Sequence, residues 1–394
     1  MSIKIPDFNN TKYAFQYKDN KALANTKFVF GLFNYPWLVK VLTTSADLVL
    51  KYRLPGKAII KQTVFKVFCA GENLDQAFNT IRLLSKYHVK AVLDYVSESE
   101  SSDAGYAENT KRIKANVINL SKEFPGHYVS IKLAGLENYH FLKKLSEPNY
   151  QKTNEEETRF NQLMSRVDEI CAAAFEHNIC IYFDAEERCT QDIYDYIVER
   201  MMEKYNKQKA VIYNTLQMYL TDRVAYLERV IKESKEKQYY AGIKIVRGAY
   251  LEKENKRAAD AGKVSPVFQT KPGTDKSFDT AIDLCLANIS HVYLCIASHN
   301  ENSIMHAIKE VNRLNIIDGK QKVSFSQLLG MSDNLTFNLA EAGLEVSKYL
   351  PYGEVEKAIP YLIRRADENK SVDGQMGREL RLLTSEIKRR KSNA

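Results

Sequence analysis

The sequence contains no Cys-x-x-Cys pair, although it has six cysteines. They stand mostly in apolar surroundings, as is typical of reduced thiols in a hydrophobic core. This pattern argues against a disulfide framework and against a structural zinc site. His291, His299 and His306 also lack a spacing with carboxylates that would build a metal cage, so no metal is predicted. The cysteines are Cys69, Cys171, Cys180, Cys189, Cys285 and Cys295.

The chain also lacks the roughly 18 uninterrupted apolar residues of a membrane-spanning helix. The nearest approach, residues 28–50, is broken by Asn34, Pro36, Lys40 and Asp47. We interpret it as a helical arm that packs on the core, with an interfacial membrane contact as the alternative. The N-terminus, MSIKIPDFNN, has none of the features of a secretory signal or a transit peptide. A cytoplasmic location is expected, with the inner face of the membrane as the place of any peripheral contact.

Basic residues outnumber acidic ones by 57 to 49, which gives a net charge of +8. Such a balance suits an anionic partner such as nucleic acid, a membrane surface or a phosphate-bearing cofactor, but a lysine-rich surface gives the same count. The basic run at residues 388–391 allows a nucleic-acid or membrane-binding module as an alternative function. Because no nucleic-acid motif accompanies it, we interpret this run as a solvated terminus, within a basic C-terminal tail at residues 376–394.

From about residue 60, short β-rich apolar runs alternate with segments of helical periodicity, which is the pattern of βαβ units. One of the helices carries an apolar face of Ile304, Ala307, Ile308 and Val311. Eight such alternations close most naturally into a (βα)₈ barrel, and the absence of a GxGxxG motif or P-loop disfavours a dinucleotide-binding sheet or a nucleotide-binding loop. The predicted strands are Thr63–Ala70, Val89–Leu93, Tyr128–Leu133, Ile179–Phe183, Ala210–Leu216, Ala241–Val246, His291–Ala297 and Val323–Leu329.

Polar side chains follow several of these runs at the point where the strand ends. The carboxyl ends of the strands hold the active site in barrels of this kind, so several polar ends together favour a site there. The residues concerned are Asp94, Asp184, Gln217, Arg247, Ser298 and His299.

A late segment, YLPYGEVEKAIPYLIRRADENK, predicts a turn at Pro351 and Gly353 and then a helix from about Glu354. Its spacing puts four polar residues on one broad face. Adjacent arginines are ordinarily a solvated surface feature, but at a barrel mouth they suit the bidentate binding of a small carboxylate. The four residues are Tyr361, Arg364, Arg365 and Glu368.

Two lysines, Lys132 in SIKLAG and Lys244 in GIKIVRGAY, stand among apolar strand residues. A charge there is costly unless it is paired or used. Each lysine is a candidate Schiff-base nucleophile, a ligand clamp or an edge residue that reaches water. A Schiff-base aldolase on the same fold therefore stays open as an alternative function.

The runs IKLAG, YFDAEE, NTLQMYL, KIVRGAYLEKE, IASHN, FSQLLGMSDNL and YLPYGEVEKAIPYLIRRADEN, in this order, resemble the strand-end motifs of the proline dehydrogenase family. The resemblance covers roughly residues 60–372. It implies a distorted (βα)₈ barrel with non-covalently bound FAD and a last helix that crosses the barrel mouth as a lid. The expected domains are a helical arm at 1–60, the barrel at 61–375 and the basic tail.

The resemblance also implies roles on the substrate side. Lys132, Arg364 and Arg365 match the carboxylate clamp, and Asp184 matches the organising carboxylate of the site, with Lys244 also assigned to catalysis. Glu98 matches the acidic gate residue, which is expected to meet Arg365 when the site closes. The residues matched to the proline ring are Tyr250, Tyr349 and Tyr361.

Ten positions match the contacts of the flavin. Lysine and serine stand at 244 and 298 where many relatives have arginine and threonine, and they keep the charge and the hydroxyl. The matched positions are Gln217, Lys244, Arg247, Gly248, Ala249, Thr270, Lys271, Ser298, His299 and Glu368.

The expected activity is the FAD-dependent oxidation of L-proline to 1-pyrroline-5-carboxylate, the first step of proline catabolism to glutamate. The expected electron acceptor is a quinone, which is compatible with weak membrane docking, and no nucleic-acid partner is expected. The bulk of Tyr349 near the ring favours proline over hydroxyproline, which stays the alternative substrate.

Overall fold

The computed structural model describes residues 3–33, 57–96, 102–316, 320–371 and 375–392. The side chains of residues 57, 59, 320, 364–371 and 375–376 lie outside this description. The chain divides into two compact units, residues 1–3 with 98–324 and residues 4–97 with 325–394. Each unit is described by itself below, as the first unit and the second unit.

Eight strands form a closed barrel in the order β1 to β8. The registered pairs run parallel, for example β3 with β4 and β1 with β8, where Val92 lies opposite Tyr349. The strands are β1 Val89–Tyr95, β2 Tyr128–Ile131, β3 Cys180–Phe183, β4 Ile212–Gln217, β5 Ala241–Val246, β6 Val292–Ala297, β7 Val323–Leu328 and β8 Glu345–Tyr352.

Helices connect the strands, as the right-handed crossover between parallel strands requires. A π-helical turn at Lys61–Phe65 and 3₁₀ turns at Leu133–Gly135 and Lys320–Lys322 complete the helical elements in the described residues. The helices are α1 Thr11–Ala14, α2 Asn20–Phe33, α3 Lys57–Ile60, α4 Lys66–Phe68, α5 Leu74–Ser85, α6 Asp103–Glu123, α7 Tyr139–Leu145, α8 Asn154–Glu176, α9 Arg188–Tyr205, α10 Arg223–Glu236, α11 Leu251–Asp260, α12 Lys271–Ala287, α13 Glu301–Arg313, α14 Asp333–Glu341, α15 Val355–Ser371 and α16 Gln375–Ser392.

The predicted barrel is confirmed, and seven of the eight predicted strands are present with ends shifted by up to two residues. The first predicted strand, Thr63–Ala70, is wrong because this apolar run is mostly helical. The missing strand is β8, and Pro351 lies inside it rather than in a turn. Its pattern is broken by Lys348, which is fully buried. Strands that are buried on both faces are usually recognised by an uninterrupted apolar run, and the charged Lys348 interrupts that run in β8.

In the first unit, local signals fix the helices that cover the strands. Thr153 and Glu156 form a capping box at the start of α8, so two free backbone N–H groups of its first turn are satisfied. The predicted apolar face of α13, from Ile304 to Val311, is buried. Helix α9 packs on β4, a strand that is buried along its whole length.

In the second unit, a buried ionic cluster lies beneath β8. Lys348 Nζ is 2.9 Å from Asp333 Oδ1, and Lys18 Nζ is 2.9 Å from Asp333 Oδ2. Burial acts to raise the pKa of Asp333, but the two lysines outweigh it and hold that pKa at about 2. Glu379 accepts the backbone N–H of Ser332. Burial is the larger cause, and repulsion from Asp333 the smaller one, that raises the pKa of Glu379 to about 7.

The basic run at residues 388–391, interpreted as a solvated terminus, lies at the end of helix α16, where Lys388 and Lys391 are exposed and Arg389 and Arg390 are half-buried. Helix α16 buries Leu382 and Leu383 in a core cluster that also contains Phe15 and Leu23 of the N-terminal segment. Glu386 is buried as well and accepts from Arg389 and Arg390. The basic residues therefore lie on an amphipathic helix whose apolar side contributes to the core of the second unit.

The N-terminal arm is helical at α1 and α2, while residues 34–56 lie outside the described residues. Among the helices that are described, none is long and apolar enough to cross a membrane. The predicted domain boundaries near residues 60 and 375 stay a prediction.

Candidate active site

The first unit places Asp184 and Lys244 in contact. Asp184 directly follows β3 and Lys244 lies in β5, with side chains almost completely buried. Lys244 Nζ donates to Asp184 Oδ1 at 2.5 Å and lies 5.1 Å from the centre of the Tyr182 ring. A buried ammonium is tolerated only with such a partner. An ammonium held in an ion pair is also a poor Schiff-base nucleophile, which argues against the aldolase alternative at Lys244.

Gln217, at the end of β4, links the loops on either side of it. Its amide Nε2 donates to the carbonyl of Glu186 at 2.6 Å, and its Oε1 accepts the N–H of Ala249 at 3.3 Å. Because Gln217 is buried and both ends of its amide are engaged, the loops after β3 and β5 are held at a fixed distance.

Arg247 follows β5 and is the centre of a second polar cluster. Its guanidinium donates to Asp275 Oδ1 at 2.8 Å, to Ser298 Oγ at 2.8 Å and to Ser303 Oγ at 3.0 Å. Lys271 Nζ donates to the other carboxylate oxygen of Asp275 at 2.6 Å. Burial acts to raise the pKa of Asp275, but Lys271 and Arg247 outweigh it and keep that pKa below its usual value. The two cations share Asp275, and Ser303 in turn donates to Asp279 Oδ1 at 2.6 Å, so a second carboxylate borders the cluster.

Two helices begin beside this cluster. Thr270 caps α12 by accepting the N–H of Gly273 at 3.3 Å, and Asn300 caps α13. The N-terminal ends of helices carry partial positive charge and attract phosphates. Together with Arg247 and Lys271, these ends form a donor set that suits an anionic phosphate-bearing group.

Gly248 must be a glycine for two separate reasons. Its φ of +136° is rarely adopted by residues with a side chain, and an added Cβ would lie 2.3 Å from the ring of Tyr219. The chain therefore turns sharply between Arg247 and Ala249. Tyr250 follows as the N-cap residue of α11.

Lys132 directly follows β2 rather than lying within it, and it is partly exposed. Burial raises the pKa of Glu186 above its usual value, and the positive charge of Lys132 offsets part of this rise. His299 follows β6 and is likewise partly exposed. Within the described residues, no group of three or more histidine, cysteine, aspartate or glutamate side chains is arranged to hold a metal ion.

The second unit contains the remaining predicted residues. Tyr349 lies in β8, where its carbonyl accepts the N–H of Leu329 at 3.0 Å, and Tyr361 is buried in α15. Asp94 is buried near the carboxyl end of β1. Helix α15 begins at Val355, one residue from the predicted start. Glu98 and the side chains of Arg364, Arg365 and Glu368 lie outside the described residues.

Two acidic residues near these predicted positions, Asp275 and Glu186, are not marked as site residues by a motif in the sequence. Asp275 is spaced four residues from Lys271, so a helical ion pair was readable, but its contact with Arg247 depends on the fold. Glu186 belongs to the YFDAEE run, in which Asp184 alone was singled out. The roles predicted for the site residues stay predictions.

Comparisons with known proteins place the chain in a family. Residues 77–378 match the family model described as proline dehydrogenase. The chain is 38% identical to proline dehydrogenase 1, mitochondrial, of Drosophila melanogaster over 60% of this chain and 36% of that protein. It is 30% identical to proline dehydrogenase 2, mitochondrial, of Arabidopsis thaliana over 88% of this chain and 80% of the relative. A hydroxyproline dehydrogenase of Xenopus laevis is 29% identical over 96% of this chain and 89% of that protein.

Solved structures support the fold. Proline utilization A from Bdellovibrio bacteriovorus, inactivated by N-propargylglycine, superposes with a TM-score of 0.74 and 18% identity over 90% of this chain. The match spans 42% of that longer chain, so it bears on the barrel alone. With the family match over most of the sequence, the barrel and the strand-end motifs, this chain belongs to the proline dehydrogenase family of oxidoreductases.

Proposed function

We propose that this protein oxidises L-proline to 1-pyrroline-5-carboxylate with non-covalently bound FAD as the hydride acceptor. The observation that carries the proposal is the pairing of Asp184 with Lys244, beside the polar cluster that contains Arg247 and Lys271, in a chain of the proline dehydrogenase family. The reaction removes a hydride from the ring carbon beside nitrogen and a proton from nitrogen, so that a C=N bond forms.

The residues present fit FAD. Its pyrophosphate is dianionic, and the donor set of Arg247, Lys271 and the starts of α12 and α13 suits such a group. When bound, FAD supplies the two-electron acceptor that no side chain can provide. Gln217, Lys244, Gly248, Ala249, Thr270, Ser298, His299 and Glu368 are the further residues proposed to hold it.

On the substrate side, Lys132, Arg364 and Arg365 are proposed to bind the carboxylate, and Glu98 to close on Arg365. Guanidinium groups bind carboxylates through charge-assisted and often bidentate hydrogen bonds. The substrate amine must be neutral before hydride leaves, since the nitrogen lone pair drives the step. The rate should therefore rise with pH to a plateau.

Hydroxyproline is the second candidate substrate, and the relative from Xenopus laevis favours it. We keep proline first because the side chain of Tyr349, proposed to flank the ring together with Tyr250 and Tyr361, would crowd a ring hydroxyl. A Tyr349→Ser variant tests this point. Its ratio of kcat/KM for trans-4-hydroxy-L-proline over L-proline should rise at least tenfold, and an unchanged ratio would remove the steric argument.

A quinone is the proposed electron acceptor, reached by peripheral contact with the inner face of the membrane from the cytoplasm. The net charge of +8 supports attraction to anionic lipid. Co-sedimentation with vesicles of phosphatidylglycerol and phosphatidylcholine, compared with phosphatidylcholine alone, measures it. Equal retention on both, or on neither, contradicts the contact.

The experiment that tests the activity begins with the absorbance spectrum of the purified protein. We expect flavin bands, FAD on release by heat, and bleaching on anaerobic addition of L-proline. A protein that cannot be reconstituted with FAD, or whose flavin ignores both proline and hydroxyproline, contradicts the proposed function.

A further inference from the structure

Glu186 and Tyr194 form a hydrogen-bonded link that the proposed roles above leave unused. Glu186 lies in the loop after β3, and its carboxylate accepts the hydroxyl of Tyr194, which lies in α9. The same hydroxyl accepts the N–H of Ala134 at 3.1 Å. Tyr194 therefore joins the loop after β2 to the loop after β3.

The link continues toward the proposed flavin side. The carbonyl of Glu186 accepts from Gln217 at 2.6 Å, and Gln217 accepts from Ala249 at 3.3 Å. Four successive strand-end segments, after β2, β3, β4 and β5, are thus joined by side chains. We call this series of contacts the strand-end bridge; its members are Ala134, Tyr194, Glu186, Gln217 and Ala249.

At its first end, the bridge fixes the turn that follows Lys132. The carbonyl of Lys132 accepts the N–H of Gly135 at 3.1 Å, which closes the turn. Asn109 Nδ2 donates to the carbonyl of Gly135 at 2.6 Å, and the N–H of Ala134 donates to Tyr194. The direction of the lysine side chain thus depends on a turn held by two side chains from neighbouring helices.

The pKa shifts of Glu186 and Tyr194 are consistent with the hydrogen bond between them. Burial raises the pKa of Glu186, whereas Tyr194, Lys132 and the backbone of Ala134 lower it, in that order. Burial and the Glu186 carboxylate raise the pKa of Tyr194 well above its usual value. The tyrosine therefore stays protonated and donates its hydrogen bond at every physiological pH.

We propose that Glu186 and Tyr194 are positioning residues that hold Lys132 in place for the substrate carboxylate and tie it to the segment that carries Gln217 and Ala249. The inference rests on the proposed function. It adds two residues that touch neither substrate nor flavin and act through a lysine that does.

A matched control exists on the same helix. Tyr205, at the other end of α9, donates its hydroxyl to Asp168 Oδ1 at 2.8 Å. Tyr205→Phe removes the same type of tyrosine–carboxylate hydrogen bond from α9 at a place remote from the strand ends. It separates a local effect on Lys132 from a general effect on the helix.

The probe is L-tetrahydrofuran-2-carboxylate, which has the shape and carboxylate of proline but an oxygen in place of the N–H, so that no oxidation follows. Its Kd is measured on the flavin-loaded protein from the change in flavin absorbance. The variants are Tyr194→Phe, Glu186→Leu, Glu186→Gln, which can still accept from Tyr194, and Tyr205→Phe. Lys132→Met is combined with Tyr194→Phe to test whether the tyrosine acts through the lysine.

We expect Kd to rise about tenfold in Tyr194→Phe and in Glu186→Leu, and to stay within threefold of wild type in Glu186→Gln and Tyr205→Phe. At saturating proline, kcat should change less than threefold, because the positioned group binds the carboxylate. In the Lys132→Met background, Tyr194→Phe should have no further effect.

A wild-type Kd in Tyr194→Phe, or an undiminished effect of Tyr194→Phe in the Lys132→Met background, overturns the inference. If Tyr194→Phe does not fold, Glu186→Leu and Glu186→Gln decide, since equal Kd values for these two variants refute the positioning role of the Glu186–Tyr194 hydrogen bond. Failure of the proposed function is distinguishable, because wild-type flavin would then not bleach with proline.

Discussion

Breaking the buried pair between Asp184 and Lys244 should cost more stability than removing both of its members. Lys244 is 5% exposed and Asp184 9%, and the two side chains meet at 2.5 Å. Asp184→Leu removes the carboxylate that Lys244 Nζ contacts, whereas Asp184→Leu with Lys244→Met removes both charges. A buried ion that has lost its counter-ion destabilises the fold more than the loss of the whole pair.

The expected magnitudes follow from the burial. The single variant should lose about 4 kcal/mol of folding free energy, and the double variant should lie within about 1 kcal/mol of wild type. An unfolding entropy of about 2.1 cal/mol/K per residue, multiplied by 394 residues, is about 0.8 kcal/mol/K. The melting temperature should therefore fall by about 5 °C in Asp184→Leu, since 4 divided by 0.8 is 5.

The assay is thermal unfolding of flavin-free protein, followed by circular dichroism, with both variants and Lys244→Met alone. The double variant should regain stability but not the reduction of flavin by proline, because the charged pair itself is assigned to the site. If the double variant is as unstable as Asp184→Leu, the reasoning about an unpaired charge is wrong.

Three further outcomes are expected. Glu379→Gln should be about 3 kcal/mol more stable than wild type above pH 7 and equally stable near pH 4.5. The pKa of Glu379 is about 7 in the folded protein and about 4.5 in the unfolded chain, so ionisation of this group above pH 7 destabilises the wild-type fold. Urea unfolding midpoints at several pH values measure the difference in stability. Gly248→Ala should weaken FAD binding at least tenfold, while Gly262→Ala, with open space around its Cβ, should not; fluorescence titration of the apoprotein distinguishes them. Arg247→Gln should weaken FAD binding roughly 10- to 100-fold by the same titration, since hydrogen bonds from a charged group contribute about 1.5–3 kcal/mol each; an unchanged Kd contradicts the phosphate role.

The sequence predicts the barrel well where burial is uniform. Strands such as β4 and β5 are apolar along their length because helices and the barrel interior cover both faces. β8 escaped prediction because its fully buried Lys348 is paired with Asp333, fifteen positions away in the sequence. A buried ion pair between separate elements leaves no periodic signal in either.

The site residues likewise divide into those that a sequence pattern predicts and those whose contacts depend on the packing of separate elements. Asp184, Gln217 and Arg247 stand at strand ends, and in a parallel barrel such ends converge, so a sequence pattern is enough to select them. Tyr194 lies two helical turns into α9, and its contact with Ala134 depends on how that helix packs on β4 and against α7. Helical spacing alone marks Tyr194 as an ordinary core residue.

The most direct test of the central claim is an anaerobic titration of the flavin-loaded protein with L-proline, with the product identified by mass. One equivalent of proline per flavin should bleach the flavin and yield one equivalent of 1-pyrroline-5-carboxylate, while Arg364→Met and Arg365→Met at the same concentration should not. A flavin that stays oxidised with proline, or a bleached flavin without that product, contradicts the assignment.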